Sequence, residues 1–91
     1  YPQFKMFFDE MLENVSFQSD SCADLDFQVF NQGNTVNYIG FVKKKNNTNY
    51  PHGIGVQVYN PTLYAYGRFN EGNPVFGYFY NTLTKEKNKI Q

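Results

Sequence analysis

Glycines and aromatic residues alternate through the second half of this 91-residue chain, and no other feature constrains the fold as much. The pattern occupies four stretches: residues 38–41, 51–59, 66–72 and 76–80. A glycine within a strand leaves room for the close approach of a ring or of another backbone. The alternation therefore predicts short, twisted β-hairpins, and it favours a binding or scaffolding surface over an enzyme.

The length and composition predict one small domain, residues 1–91, with a modest core. Ten phenylalanines and eight tyrosines supply the large side chains of that core. Eight basic and eight acidic residues give a net charge of zero, which disfavours a nucleic acid partner because such binders usually carry a basic excess. The lone Cys22 cannot form an intrachain disulfide, which favours a reducing, intracellular compartment such as the cytoplasm.

Apolar residues near the N-terminus follow the spacing of an amphipathic helix. They are Phe4, Phe7, Phe8, Met11, Leu12 and Val15. We predict a helix within residues 1–18 that packs on the sheet of its own chain, because a small domain must cover its apolar faces. Two alternatives are that the apolar stripe fills a groove on a partner or lies on a membrane surface.

An alternation of period two, typical of strands, replaces the helical spacing after residue 24. The predicted strands fall at residues 25–42, which form a hairpin, and at 53–59, 63–69 and 75–80. Residues 43–50 are expected to form a loop and residues 82–91 a flexible tail. Because strands joined by short turns pair antiparallel, the sequence predicts an α+β, mainly β fold: a helix on an antiparallel meander of about five strands.

Residues 38–80 contain a motif in which Tyr-x-Gly is followed by His-Gly-x-Gly-x-x-x-Tyr and then by a second, similar unit. The residues that define it are Tyr38, Gly40, His52, Gly53, Gly55, Tyr59, Gly67, Gly72 and Gly77. This region resembles about two degenerate repeats of the MORN (membrane occupation and recognition nexus) family. The second unit departs from the family pattern, since Ala65 stands at a tyrosine position and Val75-Phe76 replaces the His-Gly pair.

The resemblance implies a non-catalytic protein–protein interaction or scaffolding module, part of a cytoskeletal or other multi-subunit assembly. It also leaves two alternatives: a module that binds anionic membrane surfaces, or an accessory segment of an enzyme whose catalytic domain lies outside this chain. Stacked hairpins need caps at their ends, and the N-terminal helix is a candidate cap. Within the hairpins, we expect the rings of Phe69 and Phe79 to cover Gly67 and Gly77.

No set of residues in the sequence predicts catalysis, a metal site or a cofactor. His52 is the only histidine, has no cysteine or histidine cluster beside it, and is structural in the resembled pattern. Cys22 lies among acidic residues, whose negative charge disfavours a reactive thiolate. The acidic residues Asp20, Asp24 and Asp26 lack the glycine and glutamate of a calcium loop. We therefore expect a protein that is not an enzyme.

Five rings of the predicted fourth and fifth strands form the candidate binding face for another protein or subunit. They are Tyr64, Tyr66, Phe69, Tyr78 and Tyr80. A small sheet cannot cover both of its faces, and an exposed aromatic face is a typical protein interaction surface; the alternative is that the rings stack within the sheet. Lys43, Lys44 and Lys45 are candidate contacts for lipid headgroups or phosphates, with a solvated loop as the alternative.

Overall fold

The computed structural model describes residues 2–17 and 25–90, which form a six-stranded antiparallel sheet with a helical segment on one face. The helical segment consists of a 3₁₀ turn (Pro2–Phe4), the helix α1 (Lys5–Glu13) and a second 3₁₀ turn (Val15–Phe17). The strands are β1 (Asp26–Gln32), β2 (Thr35–Lys45), β3 (Thr48–Asn60), β4 (Leu63–Asn70), β5 (Asn73–Asn81) and β6 (Lys87–Lys89). They pair in chain order, so the predicted helix and antiparallel meander are confirmed. Asp20, Cys22 and Asp24 lie outside the described residues.

Residues 43–50 form a β-hairpin and not the loop that we predicted. β2 continues to Lys45 and β3 begins at Thr48, so only Asn46 and Asn47 connect them. Both asparagines have positive φ angles, 54° and 64°, as the two-residue turn of a tight hairpin requires. Lysine and asparagine are depleted in strands, which is why the sequence of this hairpin resembles a loop.

The sixth strand lies within residues 82–91, where we expected a flexible tail. Lys87–Lys89 pairs with β5, and the N–H of Ile90 donates to the carbonyl oxygen of Gly77 at 2.9 Å. The chain reverses because Oδ1 of Asn81 accepts hydrogen bonds from the N–H groups of Leu83 and Thr84. A three-residue polar strand is too short to show apolar alternation, so the pattern did not reveal it.

The helical segment covers one face of the sheet. Its buried side chains are Phe4, Phe7, Met11 and Phe17, and they share a core with Ile39, Ile54, Val56 and Tyr66. The backbone of Asn14 is extended (φ −108°, ψ 111°), which ends α1 at Glu13. Because α1 packs on the face of β2, β3 and β4, it does not close the end of the meander, and our prediction of a cap is wrong.

A second hydrophobic cluster fills the opposite face of the sheet. Its buried members are Tyr38, Val42, Ala65, Phe69 and Ile90. The hydroxyl of Tyr38 donates to the carbonyl oxygen of Phe41 at 2.6 Å, and the ring passes over Gly55. A Cβ atom at Gly55 would approach three atoms of Tyr38 to less than 3.0 Å. This glycine therefore accommodates a ring, as glycines in strands are expected to do.

Four glycines form a row across the centre of the sheet, perpendicular to the strands. Gly40 pairs with Gly55, Gly55 with Gly67, and Gly67 with Gly77. The φ angles of Gly67 and Gly77 are 143° and 131°. A Cβ at Gly67 would meet the backbone of β5, and one at Gly77 would meet the backbone of β4. These two glycines thus permit close approach of backbones, whereas we had expected them to lie under Phe69 and Phe79.

Candidate protein interaction surface

The tyrosines that we predicted to bind a partner lie beneath α1. Tyr66 is only 2% exposed, its ring centroid lies 4.8 Å from that of Phe7, and its hydroxyl donates to the Glu10 carboxylate at 3.0 Å. Burial and this hydrogen bond raise the pKa of Tyr66 well above its usual value. The prediction that Tyr66 is exposed is therefore wrong, and the reason is that the helix covers its strand face.

The other predicted rings also belong to the packing of the domain. Tyr64 and Tyr80 are partly buried, with ring centroids 5.9 Å and 5.2 Å from that of Phe7. Tyr78 lies opposite Tyr66 on the neighbouring strand and is covered by the Lys87 ammonium, 4.4 Å from its ring centroid. Phe69 is buried on the opposite face. These side chains stabilise the two faces of the sheet and do not form one exposed surface.

Lys43, Lys44 and Lys45 are exposed near the end of the β2–β3 hairpin. Successive side chains of a strand point to opposite faces, so Lys44 faces away from the other two. Nζ of Lys45 lies 2.9 Å from Oε1 of Glu71. This hydrogen bond, with the attraction of opposite charges, raises the pKa of Lys45 and lowers that of Glu71. The three lysines therefore do not form one cationic patch.

His52 connects two parts of the sheet. Its Nδ1 accepts a hydrogen bond from the N–H of Glu71 at 3.3 Å, and the N–H of Gly72 donates to the carbonyl oxygen of Pro51 at 2.8 Å. Both bonds attach the β4–β5 turn to β3. Within the part of the chain that the structure describes, no three His, Cys, Asp or Glu side chains are grouped to hold a metal ion.

A cleft lies between the start of the helical segment and the ends of two hairpins. Its volume is about 700 Å³, and Phe4, Val36, Val58 and Tyr64 supply its apolar lining. Neutral amide side chains, including Gln3 and Asn37, line the rest. None of its lining residues carries a formal charge.

An aromatic patch that sequence analysis did not identify lies where α1 meets β1. Phe27 is 51% exposed, and its ring centroid lies 5.9 Å from that of Phe8 and 5.4 Å from that of Phe41. Leu12, one helical turn beyond Phe8, is 59% exposed. We call Phe8, Leu12, Phe27 and Phe41 the Phe27 patch. A signal existed in the sequence: the apolar stripe of the helix is wider than the face that α1 buries.

The Phe27 patch borders an unpaired edge of the sheet. β1 is the first strand of the sheet, and no described strand pairs with its outer side. The outer N–H and C=O groups of an edge strand are free to bind another strand. The exposed ring of Phe27 and a strand edge without a described partner thus occur together on one side of the domain.

Comparison of the chain with models of known protein families gives no match, and comparisons with curated proteins and with solved structures give none either. The resemblance to MORN repeats therefore remains a prediction from the residues quoted above. Among the described residues, no helix has the length and hydropathy needed to cross a bilayer.

Proposed function

We propose that this chain is a non-catalytic protein–protein interaction module of MORN-like hairpins, part of a larger cytoskeletal or other multi-subunit assembly. The surface that performs this function is the Phe27 patch together with the edge of β1. The partner is a protein that offers an apolar surface to these rings. This assignment replaces the five rings of β4 and β5 with a different set of residues, while the class of function is the one expected from the sequence.

The exposure of Phe27 is the observation that carries the proposal. A phenylalanine at the edge of a sheet leaves much of its ring in water, and about 25 cal/mol is gained for each Å² of apolar surface that a partner removes from solvent. Clusters of aromatic residues are enriched at protein interfaces. The Phe27 patch combines such a cluster with main-chain groups that can fix the orientation of a partner strand.

The two alternatives receive less support from the structure. Binding to an anionic membrane would require Lys43, Lys44 and Lys45 to act together, but alternate facing and the ion pair with Glu71 divide them. An accessory role beside a catalytic domain elsewhere in a longer protein is compatible with the same surface. In that case the apolar partner of the Phe27 patch would be the neighbouring domain.

The proposal is tested by comparing the wild-type chain with Phe27→Ser and Leu83→Ser as baits in an extract of the cells that express the protein. Leu83 is 76% exposed and lies far from Phe27 in the sequence, in the β5–β6 turn. Leu83→Ser therefore also removes an exposed apolar side chain and serves as the matched control. We expect one set of proteins to be retained by the wild type and by Leu83→Ser and lost with Phe27→Ser.

A purified protein from that set then gives the decisive measurement by calorimetric titration. Truncation of a central aromatic at an interface costs about 2 kcal/mol, so Phe27→Ser should weaken binding by roughly 30-fold. Circular dichroism establishes that the variant is folded. Equal affinity of the folded Phe27→Ser variant and the wild type would rule out this surface as the binding site.

A further inference from the structure

We propose that the outer edge of β1 pairs with β1 of a second copy of this chain, in an antiparallel and two-fold symmetric arrangement. The two six-stranded sheets would then form one continuous sheet of twelve strands. This inference rests on the proposed function, because it names a second copy as a partner of the same surface. Three observations support it: the different character of the two sheet edges, the sequence of β1 and the position of the bulge in the neighbouring strand β2.

The two edges of the sheet differ in how well they are protected. β6 has only three residues, and two of them are Lys87 and Lys89, so it is short and charged, as edges that avoid pairing are. β1 has seven residues with Asp26 as the only charge, and it contains neither lysine nor proline. Among the residues that the structure describes, β1 is therefore the edge better suited to pairing.

The difference between the two edges also determines how two copies can pair. Pairing of β1 with β6 of another copy would leave one edge of each kind exposed and would continue into a closed ring or an open filament, because the two surfaces differ. The short, lysine-bearing β6 opposes that contact. Pairing of β1 with β1 uses the same surface twice and stops at two copies.

A bulge in β2 defines which part of β1 is paired without interruption. The register shifts between Phe30 and Asn31 because Asn37 of β2 is the extra residue, so residues 26–30 are the uninterrupted segment. A two-fold axis through Gln28 places Phe27 opposite Val29 of the second copy, and the same pair occurs again by symmetry. Pairs of aromatic and β-branched side chains stabilise antiparallel strands.

The same register avoids repulsion between the two copies. The Gln28 amides lie opposite each other, and an amide can both donate and accept a hydrogen bond. The two Asp26 residues lie four positions apart along the strand direction, which is about 13 Å at the rise of a β-strand. Phe27 and Val29 point to the face that carries α1, so the two Phe27 patches lie on the same side of the joined sheet.

Analytical ultracentrifugation tests the proposal over concentrations from about 1 μM to about 1 mM, the range of weak to moderate affinities. We expect the wild type to show an equilibrium between one and two copies. Gln28→Lys and Gln28→Glu each place two like charges opposite each other, which is unfavourable, so each should weaken dimerisation at least about tenfold. An equimolar mixture of the two variants should form a heterodimer, because opposite charges then meet at the two-fold axis.

Gln32→Lys is the control, since Gln32 is exposed on the same strand but lies beyond the bulge; its dimerisation should match that of the wild type. A wild type with one copy at every concentration, or open oligomers larger than two, would overturn the proposal. So would unchanged dimerisation of Gln28→Lys, or a mixture that does not associate. A monomeric wild type that still binds another protein through Phe27 would refute only the dimer, whereas a dimer that retains no other protein through Phe27 would refute only the role in a larger assembly.

Discussion

Gly67 and Gly77 show that glycine can be required within a strand and not only in a turn. They face each other across β4 and β5, with φ angles that side chains rarely adopt. The backbone conformation and the lack of space are linked, because a positive φ directs a Cβ into the neighbouring strand. Each glycine is thus needed for its backbone conformation and for the space that it leaves.

Substitution of Gly67 by alanine should therefore destabilise the domain strongly. The new Cβ would meet the carbonyl group of Phe76 and the Cα of Gly77 at less than 3.0 Å, and backbone atoms of a central strand cannot move aside. Together with the unfavourable φ, we expect a loss of about 3 kcal/mol or more. Urea unfolding measures it. Gly33→Asn is the control, since nothing lies within 4 Å of its Cβ and asparagine tolerates its φ of 63°. Equal urea midpoints for both variants would contradict the packing of the glycine row.

Tyr66 should make the stability of the domain sensitive to alkaline pH. Burial and the hydrogen bond with Glu10 raise its pKa in the folded state above the value near 10 of an unfolded chain. The neutral hydroxyl thus contributes stability that is fully present below the unfolded-state pKa. That contribution is lost as the pH rises through the folded-state pKa, by about 1.4 kcal/mol for each pH unit in between.

The Tyr66→Phe variant isolates this contribution. At pH 7 it should be less stable than the wild type by roughly 1–2 kcal/mol, because the hydrogen bond with the Glu10 carboxylate is absent. The difference should become smaller above pH 10, since only the wild type can lose a proton from residue 66 on unfolding. Urea titrations at neutral and alkaline pH measure both quantities. A difference that is the same at every pH would show that the hydroxyl of Tyr66 is not held neutral by the fold.

At the scale of elements, the sequence predicted those with a strong period and missed those without one. The spacing of Phe4, Phe7 and Met11 identified the helix, and the alternation of glycines and rings identified β3, β4 and β5. The ends of β2 and β3 near Lys45 and all of β6 consist of polar residues, which carry no apolar period. Their pairing depends on two turns, at Asn46-Asn47 and at Asn81, whose effect is visible only when both flanking segments are known to be strands.

Ile90 provides the test of β6 as an element. It is 6% exposed and belongs to the cluster around Phe69 and Ala65. Truncation of a buried isoleucine to alanine costs about 2–5 kcal/mol, and we expect a value near the lower end because Ile90 follows a strand of only three residues. Thermal unfolding measures the change, with Leu83→Ala in the preceding turn as the control. If residues 82–91 were a free tail, both variants would unfold at the wild-type temperature.

At the scale of the whole molecule, the sequence could not decide which face of the sheet the helix covers. Rings alternate on both faces: Tyr64 and Tyr66 lie on one, while Tyr38 and Phe69 lie on the other. Each face alone is consistent with a core or with a binding surface. The helix decides between them by packing on the first face, and the exposed rings are then those at its margin. For this reason the sequence could suggest an exposed aromatic surface, but it could not identify the residues that form it.

The helix is also the element whose removal should cost the domain its cooperative fold. Phe7 contacts the rings of Tyr64, Tyr66 and Tyr80, and Met11 is fully buried in the same core. Truncation of such side chains to alanine costs about 2–5 kcal/mol each, and a domain of this size is stable by only about 5–14 kcal/mol.

The double variant Phe7→Ala, Met11→Ala should therefore lose most or all of its cooperative unfolding transition and expose apolar surface that binds a hydrophobic dye. Met6→Ala is the matched control, because Met6 lies on the same helix and is mostly exposed; its unfolding temperature should stay close to that of the wild type. Thermal unfolding followed by circular dichroism compares the three proteins. A double variant that unfolds cooperatively at the wild-type temperature would mean that the hairpins are stable by themselves. The helix would then be an accessory to the sheet, and the position of the Phe27 patch at the helix margin would lose its structural basis.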